Sequence, residues 1–179
     1  MHLAIRRLFL VMLFALAGHQ PAAAFVDRDQ LGWTEYRNER FGFVMQYPAT
    51  VFASHRVSAS GDGELFETPD GEARLLVGAL PNRDHFTPSS YQDFIAQQSY
   101  PGLKADYAPV RGTWTVLSGT MDDTMIYEKA MFSCGGSLIS TFALTYPVAE
   151  RDFYDRIVEG VEHTFRPGLQ GCGQDDARF

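Results

Sequence analysis

From Phe41 to Tyr47 every second residue is large and apolar: Phe41, Phe43, Met45 and Tyr47 fall on one side, Gly42, Val44 and Gln46 on the other. A period of two predicts a half-buried strand, which Pro48 ends. Asn38-Glu39-Arg40 supplies a tight connection from a short strand beginning near Tyr36. The turn cluster Ser60-Gly61-Asp62-Gly63 then leads into a strand over Glu64 to Thr68. Pro69-Asp70-Gly71 predicts a hairpin, because proline presets φ and glycine accepts a positive φ. The returning strand runs from Ala73 to Leu80, and its run Leu75-Leu76-Val77 predicts burial on both faces.

At Thr87-Pro88-Ser89-Ser90 the pattern changes to a helical period. Thr87 can cap, Pro88 suits the first helical position, and Ser90 with Asp93 approximates a capping box. Tyr91, Phe94 and Ile95 form the stripe, and Pro101-Gly102 ends it. Three strands follow with short turns between them: Thr113 to Thr120, Met125 to Ser133 and Leu138 to Tyr146. Met121-Asp122-Asp123-Thr124 and Cys134-Gly135-Gly136 are too short for parallel crossovers, so the three form an antiparallel meander. In the last strand Leu138, Phe142, Leu144 and Tyr146 share a face. After Pro147 a second helix, about Ala149 to Phe165, carries Phe153, Tyr154, Ile157, Val158, Val161 and Phe165 as one stripe. Gly160 costs that helix roughly 1 kcal/mol relative to alanine, which predicts a close contact there. The elements add up to an α+β domain, an antiparallel sheet with two helices.

The first twenty-four residues do not belong to that pattern. Arg6-Arg7, the apolar run Leu8 to Ala17 and Ala22-Ala23-Ala24 are the three parts of a secretory leader. The run is shorter than the roughly 20 residues a membrane span requires, and Pro21 stops a helix from lengthening, so a retained anchor is the lesser reading. Arg6-Arg7-Leu8-Phe9-Leu10 resembles a twin-arginine motif, whereas the short charged segment and apolar core suit ordinary unfolded secretion; both routes stay open. His19 stands where a bacterial lipoprotein would carry its lipidated cysteine. The expectation is a soluble periplasmic or secreted protein divided into a leader (1–24), a lead-in (25–32), the α+β domain (33–167) and a tail (168–179).

Composition narrows the partners. The chain has 179 residues, 45% hydrophobic and 21% charged, with a net charge of −7; loss of Arg6 and Arg7 with the leader takes it to −9. That surface repels phosphate backbones and argues against nucleic acid. Cys134 and Cys172 are the two cysteines. In an oxidising compartment an even count reads as a disulfide, which would close a loop of about 37 residues and hold the tail. A redox or nucleophilic thiol is the alternative, but no C-x-x-C is present to lower a thiol pKa.

Tyr36-Arg37-Asn38-Glu39-Arg40-Phe41-Gly42-Phe43 with Tyr47-Pro48, and Tyr146-Pro147 through Tyr154, Ile157-Val158 and Thr164-Phe165, resemble the two ends of PsbP-like (Mog-type) domains. The resemblance covers roughly Trp33 to Pro167 and implies an antiparallel sheet sandwiched by helices, an α/β/α sandwich. That fold is shared by an extrinsic photosystem II protein, a nuclear Ran-binding factor and many bacterial envelope proteins. The Gly61-Asp62-Gly63 turn, Tyr127-Glu128-Lys129 and Ser133-Cys134-Gly135-Gly136 are similar to small exported proteins of proteobacteria. The resemblance implies a compartment and a fold; it brings no catalytic residue, and fold alone does not choose a function.

The residues themselves show no G-x-S-x-G and no G-x-x-x-x-G-K-[ST], so no cofactor is expected. Ser118 and Ser137 read as strand or turn serines, and His55, His85 and His163 are widely separated. The acidic hairpin Asp62, Glu64, Glu67, Asp70 and Glu72 is a candidate oxygen-ligand site, with Asp62, Glu64 and Asp70 as metal ligands. The competing reading is turn residues and a solvated edge, because alternation sends neighbouring carboxylates to opposite faces. The aromatics Trp33, Phe66, Tyr91, Tyr107 and Trp114 are expected mostly in the core, whereas Phe86 and Tyr100 lie in loops where an aromatic can face a partner. The sequence favours a non-enzymatic exported domain that binds a protein or envelope component; a Ca²⁺- or metal-binding protein built on the Asp62–Glu72 hairpin is the alternative.

Overall fold

A computed structural model describes residues 28–170 and 172; the leader and most of the tail lie outside the described residues. Strands β1 (Trp33–Arg37) and β2 (Val44–Pro48) form a hairpin of their own. The main sheet holds β3 (Ser54–Val57), β4 (Gly63–Glu67), β5 (Arg74–Pro81), β6 (Lys104–Tyr107), β7 (Val110–Arg111), β8 (Trp114–Met121), β9 (Thr124–Ser133) and β10 (Leu138–Pro147). Its order is β3-β4-β5-β10-β9-β8-β6, with β7 also on β8, and every pairing is antiparallel. Helices α1 (Pro88–Gln98) and α2 (Arg151–Thr164) complete the α+β architecture.

The predicted meander is present as β8-β9-β10, and the Pro69-Asp70-Gly71 hairpin joins β4 to β5. The sequence pattern did not announce β3, β6 or β7. β3 and β6 are edge strands exposed along their length, so neither carries an alternation to read. The capping box of α1 closes between Thr87 and Ser90 rather than Ser90 and Asp93. Pro88 at the first helical position makes Thr87 the cap, which leaves Ser90 as the third residue of the helix.

Two helices cover opposite faces of the sheet. Tyr154, Ile157, Val158 and Val161 of α2 pack with Phe41, Phe43 and Met45 of the hairpin region against Leu75, Val77, Phe142 and Leu144. On the other face Tyr91 and Ile95 of α1 pack on Leu117, Ala130, Phe132 and Ile139. The predicted close contact at Gly160 is the Trp33 ring: a Cβ there would lie 2.4 Å from Trp33 Cη2. A side chain at 160 would therefore push the hairpin off α2.

Leu75-Leu76-Val77 departs from expectation. Leu75 and Val77 are fully buried under α2, but Leu76 is 53% exposed. Among the described residues its face is covered by a helix only at the β8–β9 side, so an apolar run here does not mean two buried faces.

Cys134 and Cys172 are disulfide-bonded, with Cα atoms 5.0 Å apart. The chain leading to Cys172 is held along the way: Ser133 Oγ donates to the Gly168 carbonyl at 2.6 Å, Gly168 N donates to Ser140 Oγ at 3.0 Å, and Gln170 N donates to the Phe41 carbonyl at 3.1 Å.

Two outcomes follow from this packing. Gly160→Ala should destabilise the domain by about 1–3 kcal/mol through overpacking against Trp33, read by urea denaturation; an unchanged midpoint would show that the Trp33 contact is not tight. Cys134→Ser and Cys172→Ser should each lower stability equally, by on the order of 3–4 kcal/mol, and native protein should titrate with no free thiol.

Candidate functional site

The residues singled out by sequence do not converge. Asp62 sits in the β3–β4 turn, where Ser58 Oγ donates to it and holds its carboxyl below the usual range. Asp70 sits at the other end of the hairpin, accepting from Thr68 Oγ1 at 2.6 Å and from Glu72 N at 3.0 Å, and its pKa is likewise lowered, chiefly by the Thr68 hydrogen bond. Glu64 is buried on the α2 face of β4, hydrogen-bonded to His55 Nδ1. Glu67 is on the opposite face, between Arg74 Nε at 3.1 Å and Arg56 at 3.7 Å. Among the described residues no group of three His, Cys, Asp or Glu side chains is arranged to hold a metal ion.

The remaining candidates are also dispersed. His55 is on β3, His85 precedes α1 and His163 is on α2. Ser118 is buried in β8, and Ser137 donates to the Cys134 carbonyl at 2.8 Å. The two loop aromatics are not turned toward solvent as expected. Phe86 packs on Tyr91 and Phe94, and Tyr100 joins the same cluster. The Tyr100 hydroxyl donates to Glu128 Oε2 at 2.6 Å.

That contact reveals a buried carboxyl the sequence reading passed over. Glu128 lies on β9 in the row Leu117–Glu128–Ala143, on the α1 face. Burial pushes its pKa from the ordinary 4.5 up to about 7, opposed by the Tyr100 hydrogen bond. A burial-raised pKa is common at functional sites, though structural networks also produce one.

The same row continues across the sheet to its free edge: Ala143 pairs with Leu76, Leu76 with Leu65, and Leu65 with Arg56. Paired residues of an antiparallel sheet share a face, so Leu65, Leu76 and Arg56 lie on the face that α1 covers at its far side. Two residues further along β5, Gly78 pairs with both Gly63 and Thr141; two further again, Leu80 pairs with Ile139. The glycine pair leaves no side chain between the Leu65–Leu76 row and Leu80. The result is a trough of about 640 Å³ with a glycine floor, leucine walls and both Arg56 and Asp62 in its lining. Leu76 is 53% exposed and Leu80 40%. Gly63 is fixed by its surroundings, since a Cβ would lie 2.4 Å from the Val77 carbonyl oxygen; at Gly78 the nearest atom would be 3.4 Å away.

A second concavity, about 440 Å³, lies along α2 beside Trp33, Phe153 and Gly160. Its apolar floor belongs to the hairpin–helix packing described above. The trough is different: it lies beside the layer that α1 forms over β8 and β9, on strands that α1 does not cover.

No protein-family model matches the chain, and no curated protein matches its sequence. Solved structures do match. The solution structure of cyanobacterial PsbP (CyanoP) from Synechocystis sp. PCC 6803 aligns with 14% identity over 75% of this chain and 92% of that one, with a TM-score of 0.57. A crystal structure from Bacteroides thetaiotaomicron VPI-5482 aligns with 14% identity over 76% of this chain and 49% of that one, at a TM-score of 0.47, too distant to bear on the fold. The chain has a PsbP-like α+β fold, as its two end motifs implied.

The Glu128 carboxyl makes stability depend on pH. Its folded pKa lies above the unfolded value, so the native state holds a proton that the unfolded chain releases. This contribution is complete below pH 4.5 and fades as pH rises through 7. Glu128→Gln should therefore gain stability over the parent as pH rises, by up to about 1.4 kcal/mol per unit between pH 5 and 7. Denaturation profiles that stay parallel across this range would place the titration elsewhere.

Proposed function

We propose that this chain is an exported PsbP-like domain that binds a protein or other envelope component through the trough on β4 and β5. The carrying observation is that Leu76 and Leu80 stand exposed on either side of a glycine floor, on the half of a sheet face that neither helix of the described residues covers. Exposed apolar area gathered around a concavity and rimmed by charge marks interaction sites. Residues 1–24 serve as the leader in this reading, residues 33–167 as the binding domain, and residues 168–179 as a tail tethered through Cys172. We also assign the chain to the small exported proteins of proteobacteria, on the Gly61-Asp62-Gly63 turn and Ser133-Cys134-Gly135-Gly136.

Export is supported by the leader pattern and by the Cys134–Cys172 bridge, which suits an oxidising compartment. Among the described residues no helix is long and apolar enough to cross a membrane. Binding is proposed in preference to catalysis because the trough is apolar, and the histidines and serines that could do chemistry sit on separate elements.

Envelope extract passed over the immobilised mature domain should leave a partner that the Leu76→Ser, Leu80→Ser double variant does not retain. Both positions are exposed, so the variant keeps its fold. N-terminal sequencing of the protein recovered from cells should begin at Phe25. Identical retention by parent and double variant would overturn the trough as the binding surface; a chain beginning at Met1 would overturn removal of the leader.

A further inference from the structure

We infer that the concavity between the loop after β5 and the Cys134–Gly136 turn is a carboxylate-binding site, filled in cis by Asp175 and Asp176 of the chain's own tail. It shares no lining residue with the trough on β4 and β5, and stands or falls without it. The concavity measures about 540 Å³, and its lining includes Arg83, His85, Phe86, Gly135, Gly136 and Ser137.

Its two walls are pinned together by the buried Asn82. Asn82 Nδ2 donates to the Phe86 and Gly136 carbonyls, each at 2.8 Å, and Asn82 Oδ1 accepts from Phe86 N at 2.8 Å. Asn82 N donates to the Ser137 carbonyl at 2.8 Å, and His85 N donates to the Asn82 carbonyl at 3.3 Å. The loop so tied holds His85 at a φ of 54°, which residues other than glycine seldom adopt. The backbone of the site is thus fixed before a ligand arrives.

Charge identifies the ligand class. Asp62 and Glu64 line the trough, and Glu159 lines the concavity beside Trp33. Here Arg83 and His85 are in the lining and no carboxylate is; Asp84, between them in sequence, is not part of it. A guanidinium presents a planar fork of donors that matches a carboxylate. The chain as a whole carries a net −7, a field that lowers the concentration of free anions near its surface. A carboxylate that is already attached escapes that penalty.

The disulfide attaches one. Cys172 is bonded to Cys134, the residue before Gly135, with their Cα atoms 5.0 Å apart. Gly173-Gln174-Asp175-Asp176 follows at once and lies outside the described residues. Asp175 and Asp176 are three and four residues past the bridge, so a fully extended chain carries them no further than about 14 Å from Cys172. A group on so short a tether has an effective concentration on the order of millimolar. A carboxylate from another molecule needs a comparable concentration to displace it.

Amide NMR of the isotope-labelled mature domain tests this against an Asp175→Asn, Asp176→Asn double variant. The amides of residues 83–86, on the wall remote in sequence from the tail, should shift between the two. Rising salt should move the parent toward the variant. In an Arg83→Gln background the same aspartate substitutions should leave the His85 and Phe86 amides where they were.

An amidated peptide of residues 173–179, whose carboxylates are Asp175 and Asp176, serves as the free probe. The double aspartate variant should bind it saturably at millimolar concentration, with shifts at 82–86 and 135–137. The parent should bind it at least fivefold more weakly, because its site is occupied. Adding Arg83→Gln to the double variant should abolish binding, whereas Arg56→Gln, in the trough, should not change it. Unmoved amides at 83–86 in the double aspartate variant would overturn the inference. So would equal affinity of parent and double variant for the peptide, no binding by the double variant, or equal binding of a peptide with asparagine in place of both aspartates.

Discussion

A seven-strand path through a sheet is about 29 Å wide, and one helix covers about 10 Å of it. That mismatch governs the whole domain. On one face it is resolved by pooling elements: α2 and the β1–β2 hairpin together cover β5, β10 and β9, and Trp33 packed against Gly160 joins the two into one layer. On the other face α1 is, among the described residues, the one helix, anchored over β8 and β9 by Tyr91 and Ile95. On the strands it does not cover, Gly63 lies opposite Gly78 between Leu76 and Leu80. The open half of the sheet is thus a direct result of how many elements the chain has to spend on each side.

The buried carboxyl belongs to the same face. Glu128 is buried in the layer on the α1 side of the sheet, and the turn after that helix places Tyr100 against it. A carboxyl at this position is sheltered enough to hold its proton near neutrality yet touches one phenol rather than an ion.

How much of this could be read from the chain depended on whether the cause was local. Pro69-Asp70-Gly71, Asp122-Asp123 and Cys134-Gly135-Gly136 are turn chemistry, so the β4–β5 hairpin and the β8-β9-β10 meander were legible. Gly160 was legible as a contact because a glycine inside a helix needs a reason, although nothing in sequence named Trp33 as that reason. Ser54-His55-Arg56-Val57 was not legible as a strand, since an edge exposed on both sides leaves no alternation. Leu76 was misread for a different cause: an apolar side chain in a strand shows that a face could be covered, and only the distant helix count decides whether it is. Tyr100 was singled out as a loop aromatic, but its pairing with Glu128 was not legible because the two are 28 residues apart. The acidic hairpin was conspicuous in sequence, but strand alternation sent Glu64 and Glu67 to opposite faces.

The bridge between Cys134 and Cys172 has a consequence for how the chain is made. Cys172 follows every described strand and both described helices in order of synthesis, so Cys134 waits as a thiol until those elements have been made. With two cysteines in the sequence there is one way to pair them within a molecule, and oxidation has no wrong isomer to escape from. Its only competitor is the thiol of a neighbouring chain. Crosslinked pairs, rather than scrambled monomers, are therefore the form in which failed maturation of this domain would accumulate.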